Sequence, residues 1–462
     1  MDKKILCDYL KLPDSQVILI PNPDYIYAPY ELCPMAAKIT TPREQIKAIV
    51  QDMDGTTTST ENLCLYSLEQ MVRHITARPT ARQWSGLDVQ RDYPHIIGNS
   101  TTKHVEYLIR THEADIHTQS FKAAYLRSAI LTLLYGKDEG RKIQVENNLL
   151  HFHCADILQH PAFTLLRDQN SDAGETEKHP DFIKLLQSYT GRIDLQRFND
   201  RVRAAIDVYY QIYHEILNYI DREAYDRIKA MKGVSPDRLI EPMPGIAIYL
   251  AMIKGFLGED LSLFYDELSN HLPVQSRGGY SKAALEQHRR YLPLIGRYFQ
   301  QSPVRVAVVT SSIAYEADIV LKQVFRQIRK RIADWPLCEN TRSNLVEAFS
   351  SYERFFDAVI TASDSSELRL KPHRDLYSLS LFRLGIEKAE FDRVIGFEDS
   401  ESGTISIRAA GIGLCVAVPF AETSGHKLDH ASFLLHGGMP EAILIKHMFL
   451  SDRALGLEER KD

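Results

Sequence analysis

The sequence predicts an α/β protein: a parallel sheet covered by helices on both faces, with a large, mostly α-helical domain inserted after the first strand. Three observations predict it. Short apolar runs read as buried strands: "AIVQD" near the front, then "VRVAVVT", "FDAVITA", "RVIGFED", "GLCVAV" and "ASFLL" after residue 300. Helical segments at 314–332, 373–384, 402–410 and 439–450 lie between most of these runs, the alternation that makes a parallel sheet. The first two runs are separated by about 235 residues of different texture, far longer than any loop and therefore a domain in its own right.

The elements follow in chain order. Residues 1–45 form an N-terminal extension, where the prolines and tyrosines of "QVILIPNPDYIYAPY" predict extended structure and nothing chemical. The opening strand spans 46–52, and the α/β core is expected over 46–60 plus 296–462. The insert, 61–295, carries apolar residues at three- and four-residue spacing, as in "ENLCLYSLEQMVRHIT" and "DLQRFNDRVRAAIDVYYQIYHEILNYIDREAYDRIKAM". No fixed-period repeat marks a solenoid. "RDQNSDAGETEKHPD" reads as a surface loop within the insert.

The bulk properties narrow the possible partners. The chain has 462 residues, 44% hydrophobic and 25% charged, with a net charge of -6, which suits a globular protein of two or three domains. No basic tract stands out, so nucleic acid is not an expected partner. No apolar stretch is long enough to span a membrane, and the opening residues lack the apolar run of a signal peptide. Six scattered cysteines without a CxxC pair suit reduced thiols in a cytoplasm. Nothing in the sequence sets an oligomeric state.

In open α/β sheets ligands bind at the carboxyl ends of the strands. The first predicted strand ends in Asp52-Met53-Asp54-Gly55-Thr56 and the second in Thr310-Ser311-Ser312. "LKPHRDLY", with Lys371, follows the third, and the fourth ends in "GFEDSESG", with Glu398 and Asp399. Those residue types suit phosphoryl transfer, which needs a nucleophile, charge neutralisation and a proton donor held in line. Asp52 is the candidate nucleophile, forming an aspartyl-phosphate. Asp54, two residues on, can protonate the leaving oxygen and then take a proton from water. Gly55 lets the chain turn away without a Cβ in the pocket. Thr310, with Ser311, Ser312 and nearby N–H groups, can hold phosphoryl oxygens, and Lys371 brings positive charge to them. Glu398 and Asp399 are hard oxygen ligands that suit Mg²⁺.

DxDGT, the hydroxyl residue closing a strand, KPxxxxY and GFEDSxSG together resemble the haloacid dehalogenase (HAD) superfamily of aspartate-nucleophile phosphohydrolases. The likeness covers about 46–60 and 300–440 and is greatest to the branch of β-phosphoglucomutases and sugar-phosphate phosphatases. The resemblance implies a three-layer, Rossmann-like core with the insert as a helical cap or lid. It implies Mg²⁺ held by the Asp52 carboxylate, the Asp54 backbone carbonyl and Asp399, with Glu398 behind them. It also implies a small phosphorylated metabolite, such as a sugar phosphate, as substrate. Where the mutases carry a histidine ten residues after the second aspartate, this chain has Cys64, so a phosphatase is favoured over a phosphomutase. The third alternative is a binding module that keeps the motifs without catalysis. The cap, and the stretch 313–355, are longer than is usual for the branch.

Each residue also has a plain structural reading. Asp52 and Asp54 alone would be a turn or capping pair, Thr310 a β-branched strand residue and Lys371 a surface lysine. Glu398 and Asp399 also suit a helix N-terminus. His151, His153, Cys154 and His160 of "HFHCADILQH" match no strong zinc spacing and read as ordinary residues of the insert. Tyr209, Tyr210, Tyr213 and Tyr219 read as helix packing. "GGYSK" lacks the flanks of a phosphate loop, and "RQIRKR" reads as a solvated helix face. Thr58, Ser59 and Thr60 sit at the turn into the insert. Gly98, Asn99, Ser100 and Lys103 form a candidate specificity loop, with a helix cap at Asn99 and Ser100 an equal reading.

Overall fold

A computed structural model describes residues 16–22, 27–96, 101–169, 172–232, 239–272, 282–366, 369–420 and 427–457. The candidate loop residues Gly98, Asn99 and Ser100, and Gly278 and Gly279 of "GGYSK", lie outside them. The chain forms two compact units, one of residues 1–60 and 240–462 and one of residues 61–239.

Among the described residues the first unit holds ten strands: β1 (Val17–Pro21), β2 (Tyr30–Pro34), β3 (Ala48–Asp52), β4 (Thr58–Ser59), β5 (Glu241–Pro242), β6 (Arg305–Val309), β7 (Ala358–Ile360), β8 (Val394–Glu398), β9 (Leu414–Ala417) and β10 (Phe433–Leu434). Six of them make the main sheet, in the order β10-β9-β8-β3-β6-β7, and every pairing in it is parallel. β1 and β2 form a separate antiparallel hairpin, and β4 pairs antiparallel with β5.

β3 is central, and all five of its residues are buried. Strand alternation divides them between two faces. Ala48 and Val50 join Ala307, Val309, Leu376, Tyr377 and Ile407 in one core, under the helices Asp375–Arg383 and Glu401–Ala409. On β8, Phe397 meets Tyr249 edge to face at 5.6 Å. Tyr249 belongs to the helix Ile246–Ile253, in which all eight residues are buried.

That helix changes where the insert ends. Its periodicity places it in the helical domain, expected to run to 295, but in the structure residues from Ile240 onward belong to the sheet's unit. The reason is coverage. A parallel sheet must be covered on both faces, and "IAIYLAMI" has no polar side to give to solvent. An apolar helix of this kind is a buried element. The N-terminal extension also belongs to this unit. The helix expected over 439–450 stops at Leu444, before a left-handed turn at His447, Met448 and Phe449.

In the second unit the helix Phe198–Asp221 packs against Glu61–Thr76, Thr101–Thr111 and Thr118–Tyr135. Tyr209 and Tyr213 are buried on it and their rings stack at 5.7 Å, which is core packing. His151 pairs with Asp200 at 2.7 Å, Cys154 is buried, and His160 caps the helix Pro161–Asp168 by accepting from Ala162 N. The five described cysteines are free thiols. Among the described residues no helix is long and apolar enough to cross a membrane.

Asp207 is fully buried in this unit and accepts from the Arg141 guanidinium and, at 2.8 Å, from Asn148 Nδ2. Burial pushes its carboxyl above the ordinary range, while Arg141 and Asn148 pull it back. Asp207→Ala leaves the buried Arg141 without its carboxylate partner and should cost about 3–5 kcal/mol. Chemical denaturation of the whole chain, followed by hydrogen exchange in 61–239, checks this. Asp207→Leu with Arg141→Met should cost less than Asp207→Ala alone.

Candidate active site

The site begins with register. β3 lies between β8 and β6, with Gln51 opposite Phe397 and Asp52 opposite Val309. The carboxyl ends of the three strands are therefore level, and Asp52, Glu398 and Thr310 emerge together. Asp52 is 4% exposed, Glu398 1%, Asp399 5% and Thr310 1%, so the carboxylates face one another in little water. One carboxylate oxygen from each of Asp52, Glu398 and Asp399 lies within 4.8 Å of the others, the one group of metal-ligating side chains among the described residues.

Lys371 joins the group from the turn before the helix Asp375–Arg383. Its Nζ donates to Asp52 Oδ1 and, at 2.7 Å, to Glu398 Oε1. Burial opposes a charge on this amine, but Asp52 and Glu398 outweigh it and its pKa is raised. Burial likewise pushes Asp52 well above the carboxylate range; Lys371 pulls it down, and Glu398 and Asp54 push it up again. For Glu398, burial is outweighed by Lys371 and by hydrogen bonds at Ser400, and its pKa is lowered.

The Glu398 oxygens are already engaged. Oε1 accepts from Lys371 and, at 3.3 Å, from Tyr377 OH. Oε2 accepts from Asp399 N at 2.9 Å, Ser400 N at 2.8 Å and Ser400 Oγ at 2.9 Å. Glu398 thus orients Lys371 and the chain that carries Asp399. A Cβ on Gly403 would fall on the Glu398 carboxylate, which accounts for the glycine of "GFEDSESG". Ser400 caps the helix Glu401–Ala409 through Gly403 N, so the N-cap role falls to Ser400.

Asp54 is held separately. Thr60 Oγ1 donates to its Oδ1 at 2.9 Å, and Thr310 Oγ1 and Ser312 Oγ donate to its Oδ2 at 3.1 and 3.2 Å. Burial raises the Asp54 carboxyl, while Thr60, Thr310, Lys371 and Ser312 oppose the rise. Ser311 is exposed at the same strand end. Sequence reasoning missed the hydroxyls of "TTTST" as donors to Asp54. It also missed β4, which Thr58 and Ser59 form with β5, the two strands joining the core to residues 61–239. Run length and composition carry no signal for either.

Four acidic groups, counting Asp54, share this pocket with one lysine, and burial raises the pKa of Asp52 and Asp54, since water cannot screen their charges there. Carboxylates at this spacing suit a hard divalent cation such as Mg²⁺, with Asp52 and Asp399 as ligands because the Glu398 oxygens are occupied. At the position where a mutase-type histidine would stand, the Cys64 thiol accepts from Tyr209 OH at 3.5 Å.

No family model matches the chain, and no curated protein is significantly similar in sequence. Solved structures of HAD-type hydrolases, the superfamily whose motifs the sequence resembles, are similar in backbone. CbbY from Rhodobacter sphaeroides in complex with phosphate is 15% identical, over 86% of this chain and 96% of that one, with a TM-score of 0.36. A putative β-phosphoglucomutase from Thermotoga maritima is 14% identical, over 86% and 97%, with a TM-score of 0.34. A HAD family hydrolase from Deinococcus radiodurans R1 with bound phosphate and sodium is 13% identical, over 88% and 99%, with a TM-score of 0.35. At these scores the likeness carries no chemistry to this chain.

Two substitutions probe the site. Thr60→Val removes a donor that favours ionised Asp54, so the Asp54 pKa should rise, read as a shift to higher pH in a ¹³C carboxyl titration. Gly55 has φ of +84°, and a Cβ there would lie 2.5 Å from Asp399 Oδ2. Gly55→Ala should therefore push the Asp399 carboxylate aside and strain the turn, lowering stability by about 1–3 kcal/mol in a denaturation measurement.

Proposed function

We propose that the protein is a Mg²⁺-dependent phosphatase acting on a small phosphorylated metabolite through an aspartyl-phosphate on Asp52. The observation that carries this reading is the meeting of Asp52, Asp54, Lys371 and Asp399 at adjacent strand ends, from segments more than 300 residues apart in sequence.

The Asp52 carboxylate attacks phosphorus, and the bond to the leaving oxygen breaks as Asp54 supplies its proton. Asp54, now ionised, takes a proton from water, and the resulting hydroxide displaces Asp52 from phosphorus. The two aspartates meet the two demands differently. Asp52 is hydrogen-bonded to Lys371, whose charge opposes the rise that burial imposes on it; Asp54 is hydrogen-bonded by neutral hydroxyls, with Lys371 acting on it only through space, and can gain and lose a proton. Lys371 and the hydroxyls of Thr310 and Ser312 hold the phosphoryl oxygens, the hydroxyls turning from Asp54 as substrate enters. Bound by Asp52, the Asp54 carbonyl and Asp399, Mg²⁺ would add positive charge to those oxygens. Residues 61–239 are inserted directly after the first motif.

Asp52→Asn should lower hydrolysis of p-nitrophenyl phosphate in Mg²⁺ at least about 1,000-fold while leaving the melting temperature near that of the wild type. Full activity in that variant would remove Asp52 as nucleophile. A ³¹P screen of phosphorylated metabolites separates the remaining readings: inorganic phosphate marks a phosphatase, an isomeric phosphate a mutase, and neither a binding module.

A further inference from the structure

Lys371 sits in a turn ahead of the helix Asp375–Arg383. Arg369 lies two residues before Lys371, and Asp375 four residues after it. Arg369 Nε donates to Asp375 Oδ2 at 3.0 Å and Nη2 to Oδ1 at 2.9 Å, a bidentate clasp that brackets the lysine. The remaining nitrogen, Nη1, donates to Glu31 Oε2 at 2.7 Å, and Glu31 belongs to β2 of the N-terminal hairpin.

A second tie lies five residues along. Ala36 O accepts from Arg408 Nε at 3.0 Å and Nη2 at 2.7 Å, and Ala36 N donates to Arg408 O at 2.8 Å. Arg408, 1% exposed, belongs to the helix Glu401–Ala409, which begins just after Asp399. One N-terminal segment thus touches both the Lys371 loop and the helix behind Asp399.

We propose that Glu31, through Arg369 and Asp375, is a positioning residue that fixes the Lys371 loop, so that the N-terminal hairpin is a working part of the catalytic centre. For its catalytic consequence this rests on the phosphatase reading above. The hairpin's own pattern supports it. Along β2, Glu31 and Cys33 are less exposed than Tyr30, Leu32 and Pro34, so alternation puts Glu31 on the more covered face of the hairpin, where it meets Arg369. A lone two-stranded hairpin is marginal by itself, and Val17 and Ile20 of β1 are buried.

The plain alternative is a stabilising surface ion pair, and magnitude decides between the two. The side chains of Glu31, Arg369 and Asp375 are 44%, 33% and 29% exposed. Pairs so open to water contribute only about 0–1 kcal/mol to stability. Their geometric effect is larger, because a misplacement of about 1 Å in a catalytic group can cost up to about 100-fold in rate. Here the loop must deliver one Nζ between Asp52 and Glu398. Arg369→Lys keeps the charge and loses the fork.

The test is Glu31→Gln, assayed for hydrolysis of p-nitrophenyl phosphate in Mg²⁺ and for amide hydrogen exchange in 369–377. Exchange should quicken and kcat fall about tenfold, with the melting temperature moving by less than about 2 °C. Arg369→Lys should behave the same way. In a Lys371→Met background, Glu31→Gln should not lower the residual rate further, because its effect runs through that lysine. Unchanged exchange, or an equal fall in rate without Lys371, overturns the proposal. If the wild type hydrolyses no phosphomonoester, the phosphatase reading has failed, and exchange alone then decides whether the hairpin braces the loop.

Discussion

One ammonium group carries the centre of this fold. The Lys371 Nζ is shared between Asp52 and Glu398, all three buried, on three chain segments that sequence keeps far apart. Two carboxylates side by side away from water repel each other and lose hydration, so each needs a positive or hydrogen-bonding partner. The lysine supplies the charge, and Tyr377, Ser400 and the Asp399 amide supply the hydrogen bonds. Without that arrangement the strand ends would bury acidic groups with no compensating charge, and the sheet register that levels β3 with β8 would force a repulsion instead of building a site.

The rest of the first unit serves that register. A strand buried on both faces can carry a functional residue only at its end, and β3 does so at Asp52. Its two faces need two different covers. One comes from helices that follow the segments bearing Lys371 and Asp399, and the other includes the helix Ile246–Ile253. The chain therefore returns from its long excursion before completing the core.

The parts legible in the sequence are those with local patterning. Strand alternation with helices gave the sheet, the strand ends gave the candidate residues, and the motif order pointed to the same carboxylates that the structure brings together. Thr310 was legible as a strand-end hydroxyl, but its contact with Asp54 was not, because a hydroxyl pairs with whatever the tertiary fold brings near. The boundary of the compact unit at 239, against an insert expected to run to 295, has a related reason. Helical periodicity reports a helix, and only the all-round apolar character of "IAIYLAMI" reports that it lies in a core. The hairpin's role was invisible because Glu31 in a tyrosine-rich leader has no periodic signature; its meaning lies in Arg369, 338 residues away.

The turn after Asp54 ties two functions together. Its hydroxyls hold the Asp54 carboxylate, and its strand β4 pairs with β5, so the outgoing and returning connections of residues 61–239 run side by side. Thr58 belongs to both arrangements: its backbone pairs with Pro242, while its side chain donates to Met53 O and, at 3.5 Å, to Asp54 Oδ1. A change in how the connection leaves the core would therefore alter the donors around Asp54, and with them the ease of its protonation. Bulk at this turn is limited as well, because Thr56, Thr57 and Thr58 are buried. Small hydroxyl residues meet both constraints, since each can bury its volume while satisfying a carboxylate or a carbonyl. Thr57, which donates to Asp52 O at 2.6 Å and accepts from Gln51 Nε2 at 2.7 Å, does so beside Asp52 itself.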